Sequence, residues 1–445
     1  MQGAVIDLGN YAAVKQYLYS LKYHGAKYGI DRMALLADAL GHPERAFPLI
    51  HVAGTNGKGS TCAMLEAIYR SAGYRTGLFT SPHLVQLGER IQIDRHILSQ
   101  DEILAYVRML KPVAEKLGAV NPDDHPSFFE FLTAMGFLTF AKENVGVGLV
   151  EVGLGGRLDA TNIVLPELAI ITSIGLDHTE ILGDTLEDIA FEKAGIIKAG
   201  RPVLIGLLPE AAERVIRKIA EDRGSRLYSV REEFGSDDAL FPVTNLIGHH
   251  QKRNAATATL AARILRDTLP VDEVAVARAL KGVIWAGRWD ERTLPDGREI
   301  IFDATHNEEG AEMLEANLAK LVSDKGRKPV IICGALGQKR AHAVLEVVAR
   351  HAAEIILMRP AQQRACTLEE LEREVPKSFT GHVIKAEVHE IIPQPMQCRA
   401  GDGNETIVAT GSIYLLGELM EALYHEVPVN EQNLQDGPGC QRLAR

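Results

Sequence analysis

The chain has 445 residues, 46% of them hydrophobic and 24% charged, which suits a globular protein of two or three domains. Its net charge of −11 argues against a general nucleic-acid-binding surface, so no nucleic-acid partner is expected. No apolar run is long enough for a bilayer, no secretory signal opens the chain, and Cys62, Cys333, Cys366, Cys398 and Cys440 form no Cys-x-x-Cys pair; the expectation is a cytoplasmic protein with reduced thiols and no membrane partner.

The first forty residues read as helices interrupted at Gly25 and Gly29. An apolar strand, PLIHVAG, then runs into a glycine-rich turn and a helix from about Thr61 to Ser71, the opening unit of a parallel sheet. Further apolar strands are expected at 146–152, 167–174 and 202–208, with helices between them covering both faces. The pattern changes at 285–298, where Pro295, Asp296 and Gly297 mark a tight turn. Beyond it strands and helices alternate again: EIIFDAT, a helix over 308–322, PVIICGAL, a helix over 340–352, EIILMRP, and TIVATGS before a last helix. The fold expected is α/β: a P-loop-type parallel-sheet domain over 1–290 and a smaller Rossmann-like domain over 298–425. The polar segment 427–445 reads as a mobile tail.

The strongest local signal is the loop from Gly54 through Thr55, Asn56, Gly57, Lys58 and Gly59 to Ser60. Glycines let backbone N–H groups converge on phosphate oxygens, and the following helix adds the positive end of its dipole. Lys58 can reach outer phosphates, and Ser60 or Thr61 can offer a hydroxyl to Mg²⁺. The common Walker pattern is not met: Val52 stands where its first glycine would, and Gly59 separates the lysine from the hydroxyl. Glu151 ends one apolar strand and His178 follows another, and strand ends are where ligands sit in open α/β sheets. Taken alone, Glu151 could equally cap the next turn and His178 could be structural.

HVAGTNGKGST, with GLFTSPHL (77–84), SFFEFLTA (127–134), EVGLGGRLDATN (151–162), the run 171–198, GHHQKRNAATA (248–258), AGRWD (286–290), DATHN (303–307) and ATGSIYLLGE (409–418), resembles the folylpolyglutamate synthase/dihydrofolate synthase branch of the Mur ligase superfamily. The resemblance implies an ADP-forming carboxylate–amine ligase. The γ-phosphate of ATP goes to the carboxylate of dihydropteroate or of a folate's glutamate tail, and the amine of L-glutamate then attacks the acyl phosphate. A Mur-type ligase with a different acceptor is the alternative.

The resemblance also assigns roles. Ser81, Glu151 and His178 match metal ligands, and Lys193 matches a lysine carbamylated by CO₂ that helps hold Mg²⁺, with two Mg²⁺ sites expected. Position alone would make Lys193 a helix-surface lysine paired with Glu192 or Asp188. Asn254 matches the adenine-contacting asparagine, although it could also cap a helix. Arg288 and Asp303 match nucleotide residues at the domain junction, and His306 a phosphate-side histidine. Phe129 and Asp159 match the pterin contacts, Phe129 stacking and Asp159 accepting hydrogen bonds. The chain departs from the family's Asp-Gly-Ala-His-Asn-Pro at Ala304, Thr305 and Glu308. It is expected to work as a monomer on small molecules: ATP, L-glutamate and a pteroate or folate.

Overall fold

A computed structural model describes residues 9–22, 29–403, 405–425 and 431. Gly25, Cys440 and all of the 427–445 tail except Glu431 lie outside the described residues. Among the described residues two sheets form, one of eight strands and one of six.

The larger sheet contains β1 (Leu49–Ala53), β2 (Thr76–Phe79), β3 (Ile91–Ile93), β4 (His96–Ile97), β5 (Val147–Glu151), β6 (Leu168–Ile171), β7 (Val203–Ile205) and β8 (Leu227–Ser229), in the order β4-β3-β2-β5-β1-β6-β7-β8. β2, β5, β1, β6, β7 and β8 are parallel, with β3 and β4 added antiparallel at one edge. Every residue of β1 and β5 is buried, as expected of strands covered on both faces. One face carries helix Lys58–Ser71 against helix His249–Ile264, where Ala63, Ala67, Ala255, Ala258, Ala261 and Ala262 let the backbones approach closely. The other carries helix Phe128–Lys142, which sinks Phe131, Phe137 and Phe140 into the core. Each such ring contributes roughly 1.5–3 kcal/mol. Ser127 and Glu130 close the start of this helix with reciprocal side-chain bonds.

The smaller sheet contains β9 (Arg288–Thr293), β10 (Glu299–Asp303), β11 (Val330–Cys333), β12 (Glu354–Leu357), β13 (His382–Lys385) and β14 (Ile407–Thr410), in the order β13-β12-β11-β14-β10-β9. Only β9 runs antiparallel to its neighbour. The Pro295-Asp296-Gly297 turn joins β9 to β10, and Gly297 takes a φ of 88°. Residues 288–290, expected to close the first domain, instead open the second sheet, because their backbone pairs with β10. Glu431, in the segment read as a mobile tail, is buried, its carboxylate accepting from the Leu87 N–H.

No helix among the described residues is long and apolar enough to cross a membrane. Cys62, Cys333, Cys366 and Cys398 are free and buried.

Candidate active site

β5, β1 and β6 are neighbours, with Val52 in register with Glu151 and Ala53 with Ile171. Their carboxyl ends therefore deliver Glu151, the loop 54–60 and the segment leading to His178 to one edge of the sheet. That edge opens on a cavity of about 460 Å³, which the loops of the smaller sheet close from the other side. Apart from Thr61, which is buried within the loop's helix, every residue assigned above to nucleotide, metal, phosphate or pterin lines this cavity.

The loop's departure from the Walker pattern has a packing reason. Gly57 caps helix Lys58–Ser71 at a φ of 83°, and a Cβ there would lie 2.4 Å from Asn254 Oδ1. A Cβ on Gly59 would lie 2.8 Å from the Trp285 ring and 3.4 Å from Glu151 Oε2. Trp285 thus fills the space that a side chain between Lys58 and Ser60 would need. Lys58 Nζ donates to the carbonyls of Gly54 at 2.9 Å and Thr55 at 3.1 Å.

Lys193 is not a surface lysine. It is buried, and its Nζ donates to the Gly54 carbonyl at 2.9 Å. Glu192 pairs with Arg157 instead, at 2.8 Å. Burial, and then the neighbouring Lys58 charge, bring the Lys193 amine down to about 7.

The Ser81 N–H donates to Glu151 Oε2 at 3.2 Å. Burial raises the Glu151 carboxyl, with Lys58 and the Ser81 N–H opposing. Burial lowers His178 to about 4, so at neutral pH one ring nitrogen is available as a ligand. Among the described residues no three His, Cys, Asp or Glu groups cluster in a metal-binding arrangement. The Ser81 hydroxyl, Glu151 and His178 nevertheless supply hard oxygen and imidazole donors around one cavity, and a buried carboxylate whose charge is disfavoured by burial fits a divalent ion.

Asn254 does not cap a helix: Gly248 begins helix His249–Ile264, and Asn254 lies inside it. Its amide donates to Gln251 Oε1 at 3.0 Å, and Gln251 donates to Ser60 Oγ at 3.3 Å. Arg288 and Asp303 are register partners of β9 and β10, but their side chains form no ion pair in this structure. Asp303 accepts from the N–H of Trp289 at 3.1 Å and of Thr305 at 3.1 Å, while Arg288 donates to the Ala304 carbonyl at 3.4 Å. Trp289 has a φ of 50°, rare for so bulky a residue. Asp303 holds this bend, and the bend carries Arg288 into the cavity wall.

Ala304 is not in the left-handed region, so the loop does not need the glycine that the family has there. Glu308 takes the first helical position after the Asn307 cap, a place that suits proline or an acidic residue equally. His306 Nδ1 donates to the Ala304 carbonyl at 2.8 Å, which turns Nε2 towards Asp177 at 4.0 Å. Burial lowers His306.

Several contacts across the cleft carry no sequence signal. Asn56 donates to Glu309 Oε2 at 2.6 Å, and Asn307 donates to Asn56 Oδ1 at 3.1 Å and Asp177 Oδ2 at 3.2 Å. Arg340 reaches Asp177 Oδ1 at 2.6 Å. Burial disfavours a charged Asp177, but His178, His306 and Arg340 outweigh it and hold the carboxyl well below its usual range.

Phe128 enters the core while Phe129, half-buried, lines the cavity against Gly153, where a Cβ would meet its ring at 2.5 Å. Asp159 is buried and accepts from the N–H of Leu154 at 2.9 Å and of Thr161 at 3.0 Å.

A family model described as Mur ligase middle domain matches residues 52–262. The dihydrofolate synthase/folylpolyglutamate synthase of Bacillus subtilis is 32% identical over 437 residues, covering 93% of this chain and 99% of that protein. Escherichia coli FolC, solved in complex with DHPP and ADP, superposes with a TM-score of 0.77 at 29% identity, over 93% of this chain and 97% of that one. A bifunctional folylpolyglutamate synthase/dihydrofolate synthase solved with Mn, AMPPNP and L-glutamate bound gives 0.76 at 27% identity, over 93% and 97%.

Proposed function

The chain belongs to the folylpolyglutamate synthase/dihydrofolate synthase family of Mur-type ligases, and from that membership we propose which of its residues carry each step. It is an ATP-dependent, ADP-forming carboxylate–amine ligase that joins L-glutamate to dihydropteroate and/or the glutamate tail of folates through an acyl phosphate. The observation that carries the residue assignment is one cavity lined both by the phosphate loop and by Phe129 and Asp159.

The loop from Gly54 to Ser60 cradles the triphosphate, Asn254 meets the adenine edge, and Lys58 neutralises the outer phosphates. Arg288, aimed by the Asp303-held bend, and His306 approach the phosphates from the smaller sheet. Phe129 gives the pterin a face to stack on and Asp159 accepts its edge N–H groups. That pose sends the acceptor carboxylate towards the phosphate loop, where the incoming amine also has to arrive. Ser81, Glu151 and His178 would hold one Mg²⁺, and Lys193, as its carbamate, would contribute to a second. Such ions supply charge neutralisation at the transferring phosphoryl group. The nucleotide-binding part ends before β9, and the glutamate-ligase part runs from β9 to residue 425. The enzyme acts as a cytoplasmic monomer on small molecules and not on nucleic acid; the net charge of −11 supports the last point, and the free, buried cysteines among the described residues support the first.

The test is incubation with ATP, Mg²⁺, L-glutamate and either dihydropteroate or tetrahydrofolate, read by mass. A product heavier by one glutamyl unit, with one ADP per bond, is expected. ATP hydrolysis with neither acceptor extended would overturn the assignment.

A further inference from the structure

His51 lies in the middle of β1, fully buried, on the strand that leads directly into the phosphate loop. Its Nε2 is 2.8 Å from Thr161 Oγ1. Thr161 is also fully buried, and both its hydroxyl and its N–H donate to Asp159 Oδ1. A hydroxyl has one proton. Because that proton points to Asp159, Thr161 accepts from the imidazole, and His51 is the Nε2–H tautomer. The other ring nitrogen, Nδ1, is buried with no hydrogen-bond partner. A bare lone pair is tolerable there, whereas an unpartnered N–H or an imidazolium would not be. The buried ring is accordingly neutral.

We propose that His51 is a positioning residue for the folate pocket: through Thr161 it fixes the orientation of Asp159, so that the strand delivering the phosphate loop also sets the pterin-binding carboxylate. The inference rests on the reading of Asp159 as a pterin contact. A flat heterocycle edge rich in N–H groups needs an ionised acceptor in one orientation. Burial works against ionisation of Asp159, and the Thr161 and Leu154 donors oppose that effect. With the imidazole removed, the Thr161 hydroxyl is free to rotate away and Asp159 loses one of its ordering donors. The same strand then joins two substrate sites whose reacting groups must meet.

The experiment measures KM for ATP and for the accepted pteroate or folate in Thr161→Val, His51→Leu and His51→Gln, with melting curves for each and with Asp159→Asn as the reference. Gln places an N–H donor near the position of imidazole Nε2. Thr161→Val and His51→Leu should raise the pteroate or folate KM about tenfold and leave the ATP KM within about twofold, and His51→Gln should recover most of the loss. An unchanged acceptor KM in folded Thr161→Val, an equal loss for both substrates, or His51→Gln as impaired as His51→Leu would each overturn the proposal. If Asp159→Asn itself leaves the acceptor KM untouched, the pterin reading of Asp159 fails, and the proposal with it. If Asp159→Asn is impaired but Thr161→Val is not, only the His51 relay fails.

Discussion

The Lys193 ammonium donates to the Gly54 carbonyl at 2.9 Å, tying helix Leu186–Ala194 to the phosphate loop across 139 residues of sequence. Lys58 donates to the same carbonyl, also at 2.9 Å. Two cations sharing one buried acceptor disfavour each other's charge. At neutral pH roughly half of Lys193, brought down to about 7, is the free amine that can attack CO₂, against roughly one part in 3,000 for an ordinary lysine.

Carbon-13-labelled bicarbonate should therefore give a carbamate resonance in the wild type that is missing in Lys193→Met. Removing bicarbonate should slow turnover, and a short carboxylic acid should return some activity to Lys193→Ala. Full activity in Lys193→Ala would rule out a carbamate role.

Lys58→Ala should reduce kcat on the order of a hundredfold or more, as loss of a charge facing developing phosphate charge does. Its hydrogen bonds are to its own loop, so the melting temperature should hardly move. Steady-state kinetics beside a circular-dichroism melt would decide, and turnover within about threefold of wild type is the contrary result.

Arg288→Ala should weaken ATP use and spare pteroate binding, since Arg288 is proposed to approach the phosphates while Phe129 and Asp159 hold the pterin. Asp303→Asn should partly reproduce the effect. It keeps one acceptor oxygen but weakens the hold on the Trp289 N–H that maintains the strained bend. Calorimetry with each ligand separately measures this, and equal loss of both affinities would make Arg288 a general structural residue.

Gly59→Ala should impair nucleotide binding because the new methyl meets the Trp285 ring at 2.8 Å. Shrinking the ring in Gly59→Ala/Trp285→Leu should recover part of the loss. A double-mutant cycle on ATP affinity reads the coupling, and strict additivity would show that the contact is irrelevant.

Glu418 offers a pH test away from the site. Burial, reinforced by Glu421 and Glu387, pushes its carboxyl up to about 7, while the Ala361 N–H, donating at 2.7 Å, opposes the shift. Between about pH 4.5 and 7 the folded chain binds more protons here than the unfolded one, so this group's contribution to stability falls as pH rises through that window. Glu418→Gln retains an acceptor for Ala361 and carries no charge. Its melting temperature should match wild type near pH 4.5 and exceed it by about 2 °C at pH 8. A difference that does not change with pH would contradict the assignment.

The strand–loop–helix unit around Gly54, the later alternation, and the Pro295-Asp296-Gly297 turn were legible because each depends on neighbours within a few residues. The residues lining the cavity were legible by resemblance to a family. Their contacts were less so. Lys193 reads as an exposed lysine from its surroundings in sequence, and Asn254 as a possible cap for the alanines that follow it. Asp303 and Arg288 read as nucleotide residues at the domain junction, yet Asp303 holds backbone at Trp289 and Thr305.

By itself the sequence determined the elements, their α/β alternation and the phosphate loop, since backbone sterics, turn chemistry and hydrophobic period act over short separations. Only the tertiary structure decided that Lys193 is buried on Gly54, that Trp285 occupies the space above Gly59, and that Asp177 meets Arg340 and Asn307 across the cleft. Those relationships follow from the β5-β1-β6 order and from how the smaller sheet closes over it. Both are set by which apolar faces bury against each other, and no local stretch of chain carries that information.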